Sequence, residues 1–67
     1  MNFESRVLDV VAKVIPVEQY AKFTSGTLFV ECTPREAAKL ETALIEAMAC
    51  GVIVSPIEGE FAFDFTA

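Results

Sequence analysis

The sequence contains no histidine. That removes the commonest general base and rules out Cys–His and Ser–His–Asp catalysis, within one chain or between identical chains. Cysteine is scarce, with Cys32 and Cys50 alone. Two thiols without imidazoles are too few for a tetrahedral zinc site. The stretch between them reads as a helix, which at its rise per residue sets them roughly 27 Å apart. A disulfide needs Cα atoms within about 7 Å, so the two are not expected to pair.

Basic residues are few, five against ten acids, for a net charge of −5. Nucleic-acid backbones and anionic membrane surfaces both select clustered Lys and Arg, so neither is an expected partner. The acids are too sparse for a nucleic-acid mimic. No apolar run approaches the roughly 18 residues of a membrane span. The N-terminal segment carries charges throughout instead of an apolar leader, which points to a reducing, cytoplasmic compartment. Glycine-rich phosphate loops and low-complexity segments are absent from the sequence, and no internal repeat is expected.

What is present is apolar. Hydrophobic residues make up 54% of the chain and mean hydropathy is +0.49. Average soluble domains reach about 45–50% even with glycine counted. A chain this short reads as one α+β domain, residues 1–67, with little interior in which to hide the excess. The expectation is self-association, a homo-oligomer whose copies cover one another.

The first periodic segment runs from about Phe3 to Ile15. Val7, Val10, Val11, Val14 and Ile15 fall on one helical stripe, Asn2 is placed to cap it, and Pro16 ends it. Residues 17–23 fit either a short helical turn or a strand, and the helical turn is the preferred expectation. Thr24-Ser25-Gly26 is a turn. Leu28, Phe29 and Val30 form a continuous apolar run, as in a strand buried on both faces.

Thr33-Pro34-Arg35-Glu36 has the pattern of a capping box with proline at the first helical position. The helix it opens carries Ala37, Leu40, Leu44, Ala47 and Met48 on one stripe, and Gly51 is the expected left-handed stop. Val52 to Ser55 is a β-branched strand, and Pro56 to Gly59 is a turn with Glu58-Gly59 at its tip. Phe61, Phe63 and Phe65 then alternate with Glu60, Ala62 and Asp64 in a last strand. The predicted architecture is a small mixed sheet of three strands, or four if residues 17–23 join it, with two helices on one face, in the order α-β-α-β-β. The β-α-β unit should be a right-handed crossover between parallel strands.

Few residues invite chemistry. Cys32 precedes a helix N-terminus, which favours thiolate, but no histidine exists to serve it, and a small buried hydrophobe at a strand end fits as well. Cys50 lies at the disfavouring end of the same helix. Glu31, Glu60 and Asp64 sit on strands at generic spacing, while Glu36, Glu41 and Glu46 step by five and do not converge. No catalytic residue, metal ligand or cofactor site is expected. The candidate contact surface consists of the Phe61/Phe63/Phe65 stripe with Phe29, and of Arg35 and Lys39, four apart at the start of the long helix. The functional expectation is a non-enzymatic, self-associating interaction or regulatory module that also meets a protein partner. The alternative is a small-ligand module with its pocket between subunits.

Overall fold

The computed structural model describes residues 2–15 and 21–66. Helix α1 spans Phe3–Val14. Asn2 caps it, its Oδ1 accepting from the Ser5 N–H at 2.7 Å. Ile15 is already extended, as expected of a residue before proline. Strands β1 (Ala21–Thr24) and β2 (Thr27–Val30) form a hairpin. Its two-residue turn has positive φ at both Ser25 (51°) and Gly26 (80°), the combination whose twist suits paired strands.

Helix α2 spans Pro34–Met48. The capping box forms in both directions. Thr33 N–H donates to Glu36 Oε1 at 2.9 Å, and Glu36 N–H donates to Thr33 Oγ1 at 3.1 Å. Strands β3 (Gly51–Ile57) and β4 (Glu60–Thr66) make a second two-residue hairpin, turned at Gly59 with φ +80°.

The four strands form one sheet in the order β1-β2-β4-β3. Opposed residues share a face, so the registers assign each side chain. Ala21, Phe23, Leu28, Val30, Val52, Val54, Phe61, Phe63 and Phe65 lie on the inner face. Both helices pack there, through Val7, Val11, Ala37, Leu40 and Leu44. Val7, Leu28, Val30, Leu40, Leu44 and Phe63 have no exposed surface. Each such side chain contributes roughly 1.5–3 kcal/mol.

The α+β class and the two helices on one face match the sequence expectation, and four details differ. Residues 21–24 form a strand, not a helical turn; residues 17–20 lie outside the described residues. The element order is therefore α-β-β-α-β-β. Every neighbouring strand pair is antiparallel, so the sheet is not mixed. β2 and β3 do run parallel, but β4 lies between them. That central place covers its phenylalanines from both sides, which an edge place would not. Third, β2 is not buried on both faces: Leu28 and Val30 are buried, whereas Phe29 points to the opposite side and is half-buried. Finally, α2 stops at Ala49, which itself takes the left-handed conformation (φ 55°, ψ 42°), and not at Gly51. Gly51 opens β3 instead, and a Cβ there would collide with the Thr66 hydroxyl across the ladder.

The molecule is also built twice over. Each half is a helix followed by a tight hairpin, and the hairpins meet at β2 and β4 about an approximate twofold axis. The turn glycines Gly26 and Gly59 are 33 positions apart, as are the buried helix residues Val7 and Leu40, and Val11 and Leu44. At that spacing only Gly26 with Gly59 and Thr33 with Thr66 are identical, which hides the repeat from the sequence.

Candidate functional site

With both helices on the inner face, none of the described elements lies over the outer face of the sheet. Four strands supply it: Lys22 and Thr24 from β1, Thr27 and Phe29 from β2, Glu60, Ala62, Asp64 and Thr66 from β4, and Ile53, Ser55 and Ile57 from β3. Phe29 pairs with Lys22 on one side and Ala62 on the other. Ala62 is buried although it faces outward, because the side chains around it close over its methyl group. Thr27 Oγ1 donates to Asp64 Oδ1 at 2.6 Å, so the one acid near the middle of this face is already engaged. Ile53 is 55% exposed and Ile57 42%, on the edge strand β3.

This surface differs from the expected one. Phe63 is enclosed in the chain's own core. Phe61 and Phe65 are half-buried against the same core. Phe65 belongs to an aromatic cluster at one end: its ring is edge-on to Phe3 at 5.1 Å and stacked with Phe23 at 6.0 Å between centroids. Phe29 lies on the far side of the sheet from these three. Arg35 and Lys39 are exposed on α2, where Lys39 borders a shallow depression with Ala38, Thr42, Ala43 and Glu46. The expected contact residues thus fall on three separate surfaces. Ile53 and Ile57 were not among them, although the run Val52-Ile53-Val54 carried the signal. Apolar residues on both faces of a strand imply that the outward ones are exposed when only one face of the sheet is covered.

The chemistry of the outer face is limited. A second shallow depression, bordered by Lys22, Thr24, Phe29, Glu31 and Glu60, opens on it. Glu60 and Asp64 share the face, but four residues along a strand hold them roughly 13 Å apart, too far to share a proton or a cation. Among the described residues no group of three or more acids and cysteines is placed to hold a metal ion. No helix among them is long and apolar enough to cross a membrane.

Cys32 follows β2 and is half-buried; both cysteines are free thiols. Its pKa is raised, first by burial and second by the Glu36 carboxylate that closes the capping box. The capping box thus offsets the dipole that would favour thiolate. Iodoacetamide at neutral pH is expected to label Cys32 more slowly than free cysteine, read by mass spectrometry of the digested protein. Faster labelling would restore the nucleophile. The folded state also holds this proton more tightly than the unfolded chain does, so the small stability it contributes is lost as pH rises through the thiol range.

Comparison of the chain with protein-family models, with curated proteins and with solved structures gave no match.

Proposed function

We propose that this protein is a small, non-enzymatic, self-associating interaction module. The observation that supports this is the outer sheet face, which none of the described elements covers and which carries Phe29, Ile53 and Ile57 among polar side chains. In a chain this small, a one-sided sheet leaves much of its apolar surface in water. A second copy that joins at the Ile53–Ile57 rim of this face is the partner that covers it there. A ligand pocket between subunits is the weaker reading, because both depressions are shallow and flank charged side chains on separate surfaces.

Molar mass by light scattering across a concentration series tests this. The monomer is 7.3 kDa. A mass rising toward a fixed multiple of that value is expected. A constant 7.3 kDa up to millimolar concentration would overturn the proposal.

A further inference from the structure

We infer that two copies join through the free edge of β3, antiparallel about a twofold axis at Ile53, to make one continuous eight-stranded sheet. This deepens the self-association reading and rests on it.

The backbone of β3 specifies the contact. Ile57 and Glu60 close a two-residue hairpin, and such a pair exchanges both of its hydrogen bonds. The bonds then recur at every second pair: Ser55 with Ala62, Ile53 with Asp64, Gly51 with Thr66. Val52, Val54 and Pro56 accordingly turn their backbone groups away from β4, toward the side with no neighbouring strand among the described residues. Pro56 confirms the phase, since a proline inside a strand is tolerated where its missing N–H would face solvent. Val52 and Val54 thus present unpaired N–H and C=O groups on the edge.

Edges left in this state are normally guarded by shortness, charge or a covering segment. The two edges differ in this respect. β1 has four residues and includes Lys22, whereas β3 has seven and no ionisable side chain. At the repeat spacing, Ser55 stands where β1 has Lys22, and Ile57 where it has Thr24. β3 is the only helix or edge strand among the described elements without a charge.

Charge selects the occupant. Two chains of net charge −5 repel, and contact through either helix, or across the middle of the outer face with Lys22, Glu60 and Asp64, would set charged side chains against one another. Contact through β3 brings no charges together. Its register follows from the free groups. With Ile53 opposite its own copy, Val52 of each chain pairs with Val54 of the other, and every N–H and C=O of both valines is bonded. The next pair outward is Cys50 with Pro56, whose lack of an N–H ends the ladder. Ile53, the most exposed large apolar side chain among the described residues, then meets its symmetry mate at the close spacing of a non-hydrogen-bonded pair, about 4.5 Å between Cα atoms.

Two cysteine variants test the register, made in a C32S/C50S background. Ile53→Cys sets two thiols face to face and should form a covalent dimer rapidly under mild oxidation, at least tenfold faster than Ser55→Cys, which faces Gly51 of the other copy. Both sites lie on the outer face, away from the core. Light scattering of the unmodified protein is run beside them. A solution dimer in which Ile53→Cys cross-links no faster than Ser55→Cys would overturn the edge pairing while leaving self-association standing. A strict monomer would overturn both.

Discussion

Replacing Phe63 with alanine should leave most of the chain unfolded at 25 °C in the absence of denaturant. Phe63 has no exposed surface and sits on the central strand β4, opposite Leu28 on one side and Val54 on the other. Truncating a buried phenylalanine costs about 3–5 kcal/mol, the sum of lost transfer energy and the cavity left behind. A single core in a chain of this size rarely supplies more than about 3–5 kcal/mol in total. The substitution therefore removes most or all of the margin. Phe65→Ala should cost less, because Phe65 is half-exposed and its neighbours Phe3 and Phe23 can close over the gap. Urea titrations followed by circular dichroism measure both, at one fixed protein concentration because the self-association proposed above would add a concentration-dependent term. Equal losses at the two positions would mean that the alternating stripe is buried uniformly and that the exposure difference carries no energetic weight.

The same stripe shows what the sequence made legible. Strict alternation in a strand fixes which residues share a face, and the capping box fixes where α2 begins; both depend only on neighbours in sequence. Strand order does not. Whether β4 lies outside β3 or between β2 and β3 is decided by how much of Phe61, Phe63 and Phe65 each place covers, a property of the assembled sheet. β1 was obscured because Val17-Glu18-Gln19-Tyr20 precedes it without a clear period, and because Phe23 and Ala21 suit a helical turn as well as a strand. The stop of α2 was misplaced by two residues: the rule that glycine takes the left-handed position is a preference of about 1–2 kcal/mol, and Ala49 overrides it while Gly51 passes close to Thr66. Of the surface, Phe29 was anticipated while Ile53 and Ile57 were not. Their significance rests on β3 being an edge, and the local signal of that, Pro56 inside the strand, reads in the sequence as the start of a turn.

The twofold arrangement of the halves leads to the other large effect expected. Cut between Cys32 and Thr33, neither half alone should show a cooperative unfolding transition. Each would lose the strand that flanks its own β2 or β4 and the helix that packs on its partner, and each falls below the roughly 40 residues at which chains fold without disulfides or metals. The same cut should be harmless if the original ends are joined. In the repeat, Thr66 corresponds to Thr33 and Phe3 to Glu36, so the step from β4 back to α1 mirrors the step from β2 to α2. Phe3 and Phe65 are in contact, with ring centroids 5.1 Å apart. Ala67, Met1 and Asn2 then span the join with one residue more than Pro34 and Arg35 supply in the corresponding step. A chain running from Thr33 to Ala67 and on from Met1 to Cys32 keeps Thr33 as the cap of α2 and needs no added linker. It should melt cooperatively with the circular dichroism spectrum of the original, because every core contact survives and only the position of the break has changed. Loss of the transition in this rearranged chain would show that the halves are not equivalent at their ends and that β2-to-α2 continuity is itself required for folding.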